Sequence, residues 1–177
     1  GLDHIDMDAA EERGIRVRRA ARFQIVKSVA DYLLSNVIFG LRNGFQNIGI
    51  PFPGKSWDLT WNAEGVDLDR SKIGFVGMGA IAAETARRIR ALSDDCELVY
   101  HIPDGIRTSF EEGTHRMKHI GIADLYSTCD VIIPLVPLTS STINYVDYRA
   151  FTMMKKSAIF INMARGKVVH TEEMLRA

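Results

Sequence analysis

The chain has 177 residues, enough for one domain of ordinary size with a fragment of another and too few for two complete domains. Its 46% hydrophobic and 25% charged residues permit a real core and exclude an intrinsically disordered chain. Lysine plus arginine (22) balances aspartate plus glutamate (22), so no net field gathers polyanions; neither nucleic acid nor an anionic membrane is an expected partner, and a small ligand is the default.

Residues 7–13 read as a short acidic, alanine-rich helix that stops at Gly14 and turns into an extended stretch over 15–17. Over 25–42, Val26, Val29, Ala30, Leu33, Val37, Ile38 and Leu41 recur at three and four positions, the period of an amphipathic helix, and Asn43-Gly44 supplies its stop. The most apolar run, 29–41, is interrupted by Asp31, Ser35 and Asn36 and falls short of the ~20 residues a membrane span needs. With no N-terminal signal pattern either, a cytoplasmic protein is expected.

Residues 45–70 hold Pro51, Pro53 and Gly54 and then Trp57 and Trp61, without a sustained period: a long connection. The two tryptophans either contact a second subunit or pack on their own domain.

From residue 72 the pattern alternates. Strands are expected over 72–76, 97–101, 131–135 and 158–162, with a short one near 117–120, and helices over 81–92, 122–128 and 146–154. Val131-Ile132-Ile133 and Ile159-Phe160-Ile161 are apolar at consecutive positions, which implies strands covered on both faces and hence a parallel sheet with helices on each side. Strand 158–162 is expected inside such a sheet, so its outer edge is expected to be covered by a neighbouring chain or by a longer natural polypeptide. Cys96 and Cys129 lack C-x-x-C spacing and sit in apolar surroundings, the signature of buried free thiols in a reducing compartment. No metal site is expected.

Residues 73–82 read Ile-Gly-Phe-Val-Gly-Met-Gly-Ala-Ile-Ala, placing G-x-G-x-x-A between a strand and a helix. Gly77 permits the tight turn, Gly79 lets backbone amides approach a pyrophosphate, and Ala82 lets helix and strand pack closely. Exposed N–H groups and the helix dipole then favour the anion. The fold class is therefore α/β, a doubly wound parallel sheet of the Rossmann kind, and the cofactor a nicotinamide dinucleotide. An acid normally stands about 20 residues past the glycines to bind the adenosine ribose; here His101 lies twenty-two positions beyond Gly79. His101 is either the ribose contact or a polar strand end. Asp104 is an alternative acceptor and Arg107 an alternative receiver of a 2′-phosphate, so NAD and NADP both stay open.

Four stretches together resemble the D-isomer-specific 2-hydroxyacid dehydrogenases. They are Gly1-Leu2-Asp3-His4-Ile5-Asp6 continuing through Ala9-Ala10 to Gly14-Ile15; Val29-Ala30-Asp31-Tyr32; the glycine turn; and Pro134-Leu135-Val136-Pro137-Leu138-Thr139 leading to Ile161-Asn162-Met163-Ala164-Arg165-Gly166. The resemblance implies reversible hydride transfer between NAD or NADP and a small 2-hydroxy or 2-oxo acid. It implies that Arg165 holds the substrate carboxylate and polarises the 2-oxo group. A guanidinium suits that work on its own chemistry, since it offers two parallel donors to a carboxylate. By the same resemblance Ala80 and Ile81 lie against the pyrophosphate, Val136 and Pro137 line the cofactor cleft, Thr142 approaches it, and Met163 and Ala164 edge the nicotinamide beside Arg165. Residues 1–20 would be a remnant of the substrate domain and 21–177 a dinucleotide-binding domain truncated at its C-terminal end. A homodimer through the long second helix and the tryptophan-bearing arm is implied as well.

The sequence departs from that pattern in places. Ala80 stands where many members have arginine, Ala82 where most have glycine, and His170 where aspartate is common. The resemblance also calls for a downstream Glu–His pair as the proton donor. His4, His115, His119 and His170 do not match it, so the 177 residues alone are expected to bind dinucleotide and turn over poorly. The other functional class open to this fold is a dinucleotide-responsive interaction module, similar to corepressors that share it.

Overall fold

A computed structural model describes residues 4–18, 22–44, 65–106, 108 and 114–177. Gly1-Leu2-Asp3, the connection as far as residue 64 with Trp57 and Trp61, and Arg107 lie outside the described residues.

Helix α1 (Met7–Glu12) starts where the Asp6 carboxylate accepts the Ala9 N–H at 2.9 Å. It stops at Gly14, whose φ of +63° lets the Ile15 N–H turn back onto the Ala10 carbonyl at 2.8 Å. Residues 15–17 have no regular secondary structure and do not join the sheet. Helix α2 (Arg22–Leu41) ends at Asn43, which takes the left-handed position at φ +55°.

Five parallel strands follow: β1 (Lys72–Val76), β2 (Glu97–His101), β3 (Lys118–His119), β4 (Val131–Pro134) and β5 (Ile159–Phe160), in the order β3-β2-β1-β4-β5. Between and after them lie α3 (Ala80–Leu92), α4 (Ile122–Thr128), α5 (Tyr148–Met153) and α6 (Thr171–Met174). Alternate residues of β1 serve two separate cores. Ile73 and Phe75 pack with Leu33, Val37 and Leu41 of α2 and with Ala82, Ala86 and Ile89 of α3. Val76 faces the other way, into a cluster with Leu125, Tyr126, Val146 and Ala150. Helices on both faces explain why β1 from Ile73 onward and β4 are apolar and buried: neither side meets water. This is the doubly wound α/β fold expected from the sequence.

Several expected elements differ in extent. Helix 146–154 begins only at Tyr148, because Asp147 caps it by accepting the Ala150 N–H at 3.0 Å. The apolar Val146 instead forms an isolated parallel bridge with Val169. Strand 158–162 shrinks to Ile159–Phe160, although the Ile161 and Met163 N–H groups still reach Ile132 and Pro134 carbonyls at 3.0 and 3.2 Å. Within the described residues β5 is an edge strand, paired only with β4, so Ile159, Phe160 and Ile161 are half-buried rather than covered on both sides. The strand near 117–120 is two residues long, anchored by the buried Met117 before it.

The sheet's close packing sets a measurable limit. A Cβ on Gly74 would lie 2.7 Å from Cys129 Sγ and 2.8 Å from Leu125 Cγ, because α4 and the residue that ends it press directly onto β1. We expect Gly74→Ala to destabilise the fold by about 1–3 kcal/mol, the usual cost of overpacking. Thermal unfolding checks this, and an unchanged midpoint would contradict so close an approach. Cys96 and Cys129 are buried free thiols as expected. Burial pushes the Cys129 thiol up to about 12 and raises Cys96 as well, so both stay protonated and unreactive in the folded chain.

Candidate functional site

The sheet register lines up four strand ends. Val76 pairs with His101 on one side and with Pro134 on the other, and the Gly77 N–H donates to the His101 carbonyl at 2.7 Å. The Leu135 N–H donates to Val76 O at 2.8 Å, and the Met163 N–H to Pro134 O. The carboxyl ends of β2, β1, β4 and β5 therefore stand side by side, where folds of this kind place their ligands.

Each glycine of the turn has a different reason to be glycine. Gly77 has φ +104°, and a Cβ there would meet Val136 Cγ1 at 3.0 Å and the Leu135 carbonyl carbon at 3.1 Å, so the fold itself demands it. Gly79 has ordinary extended backbone, φ −124° and ψ −173°, and a Cβ there would meet nothing within 4 Å among the described residues. Neither backbone nor packing asks for glycine at 79; an open approach to the backbone does. Gly79 is the N-cap of the 13-residue α3, whose first i→i−4 bond runs from the Ala83 N–H to Gly79 O at 3.0 Å. The N–H groups of Ala80, Ile81 and Ala82 precede it and so lack intrahelical acceptors. Ala80 is exposed and Ile81 half-buried, leaving the cradle open. The side chains present thus fit a diphosphate, with amide donors and the positive end of a helix dipole facing space that no described residue fills.

Helix α3 is held from behind. Arg88 bridges to Asp31 on α2 and donates to Glu84 at 3.1 Å, while Arg87 donates to the same carboxylate at 2.9 and 3.0 Å. The hydrogen bond from Arg87, reinforced by Arg88 and opposed by partial burial, holds the Glu84 carboxyl down to about 2, from an ordinary value of 4.5. A carboxyl lowered on folding stabilises fully above its unfolded value and loses that contribution as pH falls towards the folded one. We therefore expect Glu84→Gln to lower stability at neutral pH and to flatten the decline between pH 4.5 and about 2. Denaturant midpoints across that range check it; a parallel offset at every pH would contradict it.

Arg165 follows β5, exposed, with φ −140° and ψ 152°. Two hydrogen bonds by Asn162 set its position: Asn162 Oδ1 accepts the Ala164 N–H, and Nδ2 donates to Arg165 O, both at 3.0 Å. The guanidinium also donates through Nη1 to the Ala164 carbonyl at 3.0 Å. Asn162 is a positioning residue that the sequence pattern contains without announcing; an Asx turn just before the arginine is the signal that reveals it. The order β1-β4-β5 puts the arginine turn two strands from the glycine turn, about 10 Å at ordinary strand spacing. Met163 and Ala164 are half-buried beside it.

Of the other predicted residues, Val136, Pro137 and Thr142 follow β4, between these two turns, whereas His101 ends β2 on the other side of β1. Val136 is buried against Gly77, and Pro137 is exposed next to it. Thr142 is fully buried; its hydroxyl donates to Pro137 O at 2.6 Å and accepts the Thr139 N–H at 2.8 Å. It staples the turn after β4 rather than presenting a hydroxyl outward. His101 is half-buried at the end of β2, its Nδ1 3.1 Å from Ile120 O. Thr108, absent from the predicted set, donates its hydroxyl to Met78 O and ties the loop after β2 to the glycine turn. An open groove of about 440 Å³ lies on the far flank of the arginine turn, against Gly166, Lys167 and His170, and does not include the glycine turn. Among the described residues no helix is long and apolar enough to cross a membrane.

Comparison with known proteins agrees with this geometry. The family profile described as "D-isomer specific 2-hydroxyacid dehydrogenase, NAD binding domain" matches residues 41–177. A glyoxylate reductase of Thermofilum pendens is 31% identical over 180 residues, covering 100% of this chain and 52% of that protein. A mitochondrial formate dehydrogenase of Hordeum vulgare is 29% identical over 185 residues, covering 100% of this chain and 46% of its own length. Among solved structures, the TT0316 protein from Thermus thermophilus superposes with a TM-score of 0.82 at 30% identity, covering 100% of this chain and 54% of that one. The chain thus spans about half the length of the relatives it matches. Its parallel sheet, open glycine turn and neighbouring arginine turn, together with the profile match over most of its length, make the chain a member of the D-isomer-specific 2-hydroxyacid dehydrogenase family, with residues 41–177 matching the family's NAD-binding domain.

Proposed function

We propose that the protein is an oxidoreductase that transfers hydride reversibly between a nicotinamide dinucleotide and a small 2-oxo or 2-hydroxy acid. The observation that carries this is the pairing of Gly79, a glycine the fold does not itself require, with Arg165 at the end of a strand in the same sheet. Ala80, Ile81 and Ala82 would hold the diphosphate through their N–H groups, with Gly77 shaping the turn and Val136 and Pro137 walling the cleft. When bound, the nicotinamide would supply or accept the hydride at the substrate C2, and the proton that balances it would pass between the 2-oxygen and a general acid or base, the role the family resemblance gives to a downstream Glu–His pair. Arg165 receives the substrate carboxylate, orients it and draws electron density from the 2-oxo group through its N–H donors. Asn162 and Thr142 act by fixing the two loops that carry these groups, and Met163 and Ala164 exclude water from the nicotinamide side.

Glyoxylate is the first to try, because glyoxylate reductases are among the relatives. The test is reduction of glyoxylate and hydroxypyruvate by the full-length protein with NADH and with NADPH. Turnover with either acid is the expected result; dinucleotide binding without reduction of any 2-oxo acid would instead favour a dinucleotide-responsive interaction module.

We also propose a homodimer through α2. Its buried face packs Leu33, Val37 and Leu41 against α3, while Ile25, Tyr32 and Phe39, spaced by seven, are 52%, 61% and 42% exposed. Such an apolar stripe on the outside of a helix suits a self-complementary contact. A cytoplasmic location suits the two unpaired thiols.

A further inference from the structure

The glycine turn is anchored at both ends and free to rotate in the middle. At one end the Gly77 N–H donates to the His101 carbonyl at 2.7 Å; at the other, Gly79 O accepts the Ala83 N–H at 3.0 Å. Between them the Met78 side chain is buried in the core with Phe75 and Ala82. None of these contacts fixes the peptide that joins Met78 to Gly79. It can turn about ψ of Met78 and φ of Gly79 while both ends and the buried side chain stay in place, because Gly79 has no Cβ to restrict φ. The bond that meets this peptide comes from another part of the chain: the Thr108 hydroxyl donates to the Met78 carbonyl. Local structure brings Thr108 there. After β2, Pro103 is buried, Gly105 takes φ +78°, and the Ile106 N–H closes onto the Pro103 carbonyl at 3.1 Å, a tight turn that reverses the chain.

We infer that Thr108 is a positioning residue for the dinucleotide: its hydroxyl sets the Met78–Gly79 peptide with the carbonyl turned to the loop and away from the diphosphate. A peptide is planar and trans, so its C=O and N–H point in opposite directions. Holding the oxygen therefore aims the Gly79 N–H away from the loop. That N–H has no acceptor among the described residues and stands next to the free amides at the start of α3. Rotated the other way, the same peptide would set a carbonyl oxygen against phosphate oxygens, two acceptors with no proton between them. Thr108 is exposed, so its hydroxyl can be removed without opening the core. This inference rests on the dinucleotide-binding reading of the glycine turn.

The experiment compares wild type, Thr108→Val and Thr108→Ser as full-length proteins. It reads NADH titration, competition of inorganic pyrophosphate against NADH, and melting temperature. Valine keeps the shape of threonine and removes the donor; serine keeps the donor. Thr108→Val is expected to bind NADH and pyrophosphate each about five- to tenfold more weakly, the worth of one hydrogen bond, at an unchanged melting temperature. Thr108→Ser is expected to bind both near the wild-type level. Wild-type NADH affinity in Thr108→Val, a loss that serine does not restore, or a melting temperature that falls with the affinity would overturn the inference. So would weaker NADH binding with pyrophosphate unaffected, since the hydroxyl would then act on the adenosine side. Each of these leaves the dinucleotide site standing. Failure of the wild type to bind NADH, or of pyrophosphate to compete with it, would overturn the cradle itself.

Discussion

Replacing Arg165 with glutamine is expected to lower kcat/KM for 2-oxo acid reduction by about 10²–10³-fold in the full-length protein, the usual loss when a donor aimed at developing negative charge is removed. NADH affinity should stay near the wild-type value, because the diphosphate contacts belong to β1 and α3 on the other side of the cleft. Folding should also survive. Arg165 is exposed, and the bond from Asn162 to its carbonyl is left in place by the substitution. Arg165→Lys is the informative companion: it keeps the charge and loses the second parallel donor, so an intermediate rate identifies bidentate recognition instead of simple charge attraction. Steady-state kinetics with NADH saturating checks both variants. Undiminished kcat/KM in Arg165→Gln would remove this residue from the chemistry.

The second large effect separates the two glycines of the phosphate turn. Gly77→Ala forces an L-residue to φ +104° and presses its Cβ on Val136 and the Leu135 carbonyl, so it should cost about 1–3 kcal/mol of stability and distort the turn. Gly79→Ser should do the opposite. Its backbone is unstrained, the space beside it is open among the described residues, and serine is a favoured N-cap, so the melting temperature should hold or rise slightly. Yet the new hydroxyl would accept from the same helix amides that the diphosphate needs and would occupy its approach. NADH binding should weaken about tenfold or more, the worth of one hydrogen bond to a charged group. Melting curves and NADH titrations on both variants check the split. Full NADH affinity in Gly79→Ser would mean that the open space is not a ligand site.

These contrasts show why some of the architecture is legible in the residues alone and some is not. β1, β2 and α4 fall on the expected residues because each is bounded by a sharp local signal: the glycine turn after Val76, the polar Ser93–Asp95 before Glu97, and Gly121 ahead of Ile122. β5 is shorter than its apolar run suggests because such a run carries no information about how many neighbours a strand has; among the described residues it pairs with β4 alone and is half-buried. Val146 reads as helical because apolar periodicity cannot distinguish the residue before an N-cap from the first turn after it, and the capping role of Asp147 decides the matter. Within the site, residue types show that a turn and a cation are present. They do not show that Thr142 spends its hydroxyl inside a loop, that Asn162 brackets Arg165, or that His101 Nδ1 lies against the Ile120 carbonyl. Each of those depends on a hydrogen bond between groups whose approach is decided by the tertiary fold, and Gly79 becomes informative only once the space around it is known to be open.

The proposed hydride transfer requires that the N–H groups of Ala80, Ile81 and Ala82 donate to a dinucleotide diphosphate. Residue-resolved hydrogen exchange of the full-length protein, with and without saturating NADH, measures those amides directly. Exchange at these three positions is expected to slow markedly on binding, and Gly79→Ser is expected to abolish the slowing. Unchanged exchange at all three, with NADH bound and protection appearing elsewhere, would contradict that cradle.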